Sequence, residues 1–217
     1  YRPVSHNDGQ ATYFREMLRQ VMNARPPKRR NFYTEWDYEQ AVKEYENNPI
    51  YGWCHKNTKA DGTPYNIYKD GLKIYTTINS TMQQYAEEAM LKQLRTVIQP
   101  KMDAQYRSTK VLFQNTSAEE REKIVRQAMR YSDRYRALKE EGRSEAEIDR
   151  IFRTPCPTRV FTYRGERDTI LSPRDSILHH KRIMRAGFVA IEPQTGRVKA
   201  YVGGPNFRYF KYDMAKQ

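Results

Sequence analysis

Between Gly187 and Gly204 the chain reads Gly-Phe-Val-Ala-Ile-Glu-Pro-Gln-Thr-Gly-Arg-Val-Lys-Ala-Tyr-Val-Gly-Gly, and no other stretch constrains the fold as strongly. Phe188 and Ala190, then Val198, Ala200 and Val202, recur at the period of two that a half-buried strand requires. Pro193 and Gly196 lie between the two runs and supply the dihedrals of a chain reversal. The spacing predicts a β-hairpin over residues 187–204.

Upstream the period changes. Phe14, Met17, Leu18, Val21 and Met22 sit at helical offsets in residues 9–24, and Pro26-Pro27 ends that pattern. A short helix is predicted over residues 37–46, stopped at Asn47-Asn48-Pro49, within a stretch whose Trp36, Tyr38 and Tyr45 alternate with acids. That interleaving reads as packing rather than as base stacking. Residues 66–78 are predicted to form a second hairpin, because Asp70-Gly71 stands between β-forming runs. Leu72, Ile74, Thr76 and Ile78 would then share one face, and Lys73, Tyr75 and Thr77 the other. Ser80-Thr-Met-Gln83 fits a capping box, opening an amphipathic helix marked by Met82, Tyr85, Ala86, Ala89, Met90, Leu94 and Val97.

Residues 101–184 read as mostly helical and highly charged. Capping boxes at Ser117/Glu120 and Ser144/Glu147 precede Ile124, Ala128, Tyr131, Tyr135 and Leu138, then Ile148, Ile151 and Phe152, with Gly142 as a stop between them. Pro155 and Pro157 break the pattern, residues 159–164 read as one short strand turning at Gly165, and Ser172-Pro173-Arg174-Asp175 opens a further helix. The expected class is α+β: two β-hairpins plus a short strand, with a mainly helical charged insertion between them. The chain divides into 1–65, 66–91, 92–173 and 174–217.

A formal net charge of +13 would suit a polyanion. Apart from Arg25-Pro-Pro-Lys-Arg-Arg30, however, the basic residues alternate with Glu and Asp on predicted helix faces, the pattern of a solvated surface. No zinc finger, Gly-rich phosphate loop or aromatic single-strand platform accompanies them, so nucleic acid is not an expected partner. No segment approaches the ~18 consecutive apolar residues of a membrane span. Cys54 and Cys156 are either a candidate disulfide or two separate thiols. Paired, they would close a loop of roughly a hundred residues, worth about 4–5 kcal/mol in the chain-entropy model.

No Ser has Lys three positions on, and Lys-Thr-Gly, Gly-x-Ser-x-Gly and His-Glu-x-x-His do not occur. Glu87-Glu88, Glu119-Glu120 and Glu140-Glu141 fall on helix faces where neighbours diverge by about 100°, so they read as solvated. His6, His55, His179 and His180 have no nucleophile partner, and the last two are expected to divide between a core-facing edge and solvent. Cys54-His55 lacks further ligands at metal spacing. No catalytic, cofactor-binding or metal residue is assigned, and no cofactor is expected.

Three segments nevertheless resemble one family in order. His6-Asn-Asp-Gly-Gln-Ala-Thr-Tyr-Phe-Arg-Glu-Met-Leu18 resembles the linker helix leaving the glycosyltransferase domain of bifunctional, class A penicillin-binding proteins. Asp70-Gly-Leu-Lys-Ile-Tyr-Thr-Thr-Ile-Asn-Ser-Thr-Met-Gln-Gln-Tyr-Ala86 resembles the strand and helix that follow. Ala186 to Gly204, then Tyr209-Phe-Lys-Tyr-Asp213, resembles the opening hairpin of the transpeptidase domain. Residues 92–173 depart from the commonest pattern and read as an accessory insertion.

The resemblance implies a parent enzyme of peptidoglycan synthesis, with a glycosyltransferase that polymerises lipid-linked disaccharide and a serine transpeptidase that cross-links D-Ala-D-Ala stems. It implies an excised piece, starting at Tyr1 and stopping at Gln217 just before the Ser-x-x-Lys nucleophile, and therefore itself inactive. The implied location is extracytoplasmic, on the periplasmic side of the bacterial inner membrane with the parent anchored there, which favours the Cys54–Cys156 pairing. Implied partners are the rest of the synthase, through it peptidoglycan or its lipid-linked precursor, and cell-wall assembly proteins at residues 92–173. The competing readings are a protein- or cell-wall-binding module acting through the helical insertion, and a basic nucleic-acid-binding protein.

Overall fold

The computed structural model describes residues 8–216; His6 and Asn7 of the N-terminal segment lie outside the described residues. In chain order come α1 (Thr12–Met22), α2 (Glu35–Asn47), the short α3 (Trp53–Lys56), α4 (Ser80–Gln93), a π-helical turn (Leu94–Ile98) and α5 (Gln99–Thr109). Then follow α6 (Ala118–Arg130), α7 (Asp133–Glu140), α8 (Glu145–Arg153), β1 (Cys156–Thr162), β2 (Gly165–Leu171), α9 (Pro173–Arg182), β3 (Phe188–Ile191) and β4 (Val198–Val202). The class is α+β, with two separate two-stranded antiparallel sheets among the described residues. The described residues divide into two compact units, one falling within residues 1–87 and 187–217, the other residues 88–186.

In the first unit the hairpin expected at the C-terminal end forms. Phe188 pairs with Val202 and Ile191 with Val198, with an irregularity between Ala190 and Ile191. Glu192 closes the turn by donating its N–H to Arg197 O and accepting from Gly196 N, with Gly196 at φ +68°. The hairpin expected over residues 66–78 does not form. Asp70 Oδ2 accepts from Asn66 N at 2.6 Å and Asn66 Oδ1 from Tyr68 N at 2.9 Å, so local side-chain bonds coil the segment that would have been its first strand. The downstream half stays extended and meets β4 instead, with Asn79 N donating to Lys199 O at 2.9 Å and Thr77 Oγ1 to Val198 O at 2.7 Å. Leu72, Ile74, Thr76 and Ile78 still share a side, lining one groove of about 630 Å³ with Phe14 and Leu18.

The second hairpin of the molecule lies in the other unit. The strand expected at residues 159–164 starts earlier, as β1, and pairs along its length with β2, from Cys156–Leu171 to Thr162–Gly165. Glu166, Arg167 and Asp168 obscure the alternation of β2 in sequence. Gly165 at φ +115° permits the tight connection through Tyr163 and Arg164.

Both capping boxes of this unit are present, Ser117 with Glu120 and Ser144 with Glu147. The helix expected to run on through Tyr135 is broken, because Ser132 accepts from Tyr135 N and begins α7. Gly142 ends α7 as expected, at φ +77°, with Arg143 N on Leu138 O and Gly142 N on Lys139 O, a Schellman closure. The core comprises Val125, Met129, Ile148 and Phe152, flanked by Tyr135, Leu138, Ile177 and Leu178. On α6 the inward face is thus one residue on from the predicted Ile124/Ala128 pair, and Tyr131 is exposed. Full burial of Phe152 and Ile148 contributes about 1.5–3 kcal/mol each.

Candidate functional site

The described part of the first unit is organised around the backbone of β4. Asn79, not Ser80, caps α4, its Oδ1 accepting from Met82 N at 3.0 Å. The capping box predicted at Ser80 is therefore not made, and Gln83 takes another part. Its side chain is fully buried, with Oε1 accepting from Tyr201 N at 2.7 Å and Nε2 donating to Tyr201 O at 2.9 Å. A primary amide carries the same donor and acceptor as a peptide unit, so Gln83 stands in for one residue of a third strand. Burial of this polar group leaves the predicted apolar residues Met82 and Tyr85 exposed. Glu87, predicted to be solvated, accepts from Gln83 Nε2 at 2.7 Å and from Ala11 N at 2.8 Å, tying the start of α1 to α4.

The chain after β4 is seated on α1. Tyr13 is 4% exposed, and its hydroxyl donates to Phe210 O at 2.6 Å. A Cβ on Gly204 would lie 2.4 Å from Tyr13 Oη and one on Gly203 2.6 Å from Tyr13 Cγ, so the Gly-Gly pair is what permits this approach. Phe207 packs edge-on against Tyr13 with centroids 5.0 Å apart. Asp213 Oδ2 accepts from Tyr201 Oη at 2.7 Å, and burial, reinforced by that carboxylate, pushes the phenol well above its ordinary range. Met214 N returns to Gly203 O at 2.8 Å. These side chains bond to backbone or to one another, and the arrangement holds β4 and residues 203–215 in a set geometry.

The second unit repeats the device. Gln99 is 6% exposed; its Oε1 accepts from Met184 N at 2.9 Å, while Nε2 faces Asp103 Oδ1 at 3.0 Å and Arg182 O at 3.3 Å. His179 and His180 both turn to Phe161 on β1, correcting the expected split between core edge and solvent. His179 Nε2 lies 2.8 Å from Phe161 O, and His180 Nε2 accepts from Phe161 N at 3.3 Å. His180 Nδ1 faces Ser176 O at 2.9 Å, which can only accept, so Nδ1 carries the proton and the ring is neutral. Burial lowers the His180 pKa, and the adjacent His179 lowers it further. Arg174 grips Glu122 through two contacts at 2.7 and 3.1 Å, holding that carboxyl below its usual range.

Other residues singled out in the sequence do not converge. Cys54 is buried and Cys156 half-buried, both as free thiols, and burial pushes the Cys54 thiol up. His55 Nε2 sits 3.2 Å from Asn23 O, and His6 lies outside the described residues. Glu120 serves the Ser117 cap, while Glu119, Glu140 and Glu141 are exposed. Among the described residues no three His, Cys, Asp or Glu side chains gather as a metal site, and no helix is long and apolar enough to cross a membrane.

Residues 108–184 match the family model of the penicillin-binding protein middle domain. The match covers about a third of the chain and lies wholly within residues 88–186. It coincides largely with the block that departs from the family pattern in sequence, and it excludes the flanking segments that carry the resemblance. No curated protein and no solved structure matches the chain.

Proposed function

We propose that this chain is a non-catalytic, positioning region of a class A penicillin-binding protein. The match of residues 108–184 to the penicillin-binding protein middle domain carries the reading. In it, residues 1–65 link from a preceding glycosyltransferase domain, 66–91 form a pedestal, 92–173 make most of the middle domain, and 174–217 lead into a transpeptidase sheet. The sequences Asp70 to Ala86 and Ala186 to Gly204 support the bifunctional class and this order. The seating of Gly203 and Gly204 on Tyr13, and the grip of Gln83 on Tyr201, support a role in holding a strand rather than in chemistry. The parent then acts outside the cytoplasmic membrane, polymerising glycan and cross-linking D-Ala-D-Ala stem peptides.

Fluorescent penicillin tests this directly. The chain alone is expected to stay unlabelled, and its full-length parent to be acylated at a Ser-x-x-Lys beyond Gln217. Labelling of the chain alone, or a parent that is not labelled, overturns the proposal.

A further inference from the structure

Within residues 88–186 a cleft of about 600 Å³ is lined by α5, the tip of the β1–β2 hairpin and the end of α9. Arg95, Arg107, Arg164, Arg167 and Arg182 line it, against two carboxylates, Asp103 and Glu166. Three positive charges are therefore in surplus. Asp103 pairs with Arg182 and accepts from Gln99 Nε2 at 3.0 Å, both within the cleft, while Glu166 lies 3.8 Å from Arg159, which is outside the lining. Among the described residues, Arg95, Arg107, Arg164 and Arg167 have no carboxylate within ion-pair distance. Arg182 stacks on the Tyr106 ring at 4.6 Å, and its Nε, shut off from solvent 3.5 Å from Asp103, has no hydrogen-bond partner there.

Gathering five guanidinium groups in one cleft costs free energy through mutual repulsion, which a bound anion relieves. Their planar forks match phosphate oxygens two at a time, and a surplus of three charges suits a multiply charged anion better than chloride or a single carboxylate. The volume falls within the ~300–1,000 Å³ of small-molecule sites. We propose that this cleft binds a phosphate group, either of a soluble phosphate or diphosphate compound or of a phosphorylated lipid headgroup. The proposal stands independently of the synthase reading.

The test uses the full chain, titrated calorimetrically with inorganic diphosphate at constant ionic strength, alongside flotation on phosphatidylcholine vesicles with and without phosphatidic acid. Arg107→Glu and Arg164→Glu change exposed side chains without ion pairs and should leave the circular dichroism spectrum unchanged. Lys28→Glu, in the basic run of the first unit, controls for net charge. Saturable diphosphate binding with Kd below about 1 mM, weakened about tenfold by either arginine reversal and not by Lys28→Glu, is expected for a soluble source. Flotation that requires phosphatidic acid and is lost on arginine reversal alone points to a lipid headgroup. If neither binding mode responds to the arginine reversals beyond the Lys28→Glu control, the proposal fails.

Discussion

Replacing Gln83 by Ala should loosen the first unit more than any exposed substitution. Gln83 is fully buried and satisfies both the N–H and the C=O of Tyr201, at 2.7 and 2.9 Å, while donating to Glu87. Truncation strands two buried backbone groups, each costing about 1–3 kcal/mol, so the loss works out at roughly 2–6 kcal/mol. Gln83→Leu preserves the volume but not the amide and should cost a similar amount, which separates hydrogen bonding from cavity formation. Urea titration followed by tryptophan fluorescence reads this unit selectively, because Trp36 and Trp53 both belong to it. Amide exchange at Tyr201 supplies the local readout. A loss under about 1 kcal/mol for both variants, with unchanged exchange at Tyr201, would refute the assignment of Gln83 as a strand surrogate.

Gly204→Ala should destabilise the same unit by driving a methyl into Tyr13 Oη, and Tyr13→Phe should recover part of the loss, as a double-mutant cycle on urea midpoints would record. Ser144→Ala removes the cap of α8 and should cost about 1 kcal/mol, read by circular dichroism during denaturation. His180 is held neutral, with its folded pKa below the unfolded value of 6.5. Its contribution is then complete above that value and is lost as pH falls through the depressed folded pKa. The urea midpoint should therefore drop on acidification, and His180→Gln should flatten that dependence. Residues 88–186, with their own core of Val125, Met129, Ile148 and Phe152, should unfold cooperatively when expressed alone.

Sequence signals in this chain are legible where the chemistry behind them is local. Ser117/Glu120, Ser144/Glu147 and Gly142 each act through bonds only a few residues long, and tertiary context did not displace them. The hairpin over residues 187–204 was legible because alternation and turn residues agreed. Asp70-Gly71 misled because Asn66 and Asp70 close a tighter local structure with their own side chains, leaving the second half to seek β4. Ser80 misled because the competing Asn79 lies one residue earlier, a shift that frees Gln83 to reach Tyr201, 118 residues away in sequence. No periodicity carries a contact of that range.

The missed residues share a physical task. A two-stranded hairpin is marginal in water, and its outer edges present unpaired N–H and C=O groups. In each unit one edge position is completed by side chains rather than by another strand: Tyr201 by Gln83, and Phe161 by His179 and His180. Polar side chains suit that work, because the alternative of an apolar neighbour would leave the backbone groups dry and unsatisfied. Reading such residues from sequence therefore means asking which polar side chains on a helix face a strand end. Hydrophobic patterning puts that question the wrong way round, since it gives Gln83 only a local capping part and divides His179 and His180 between a core-facing edge and solvent.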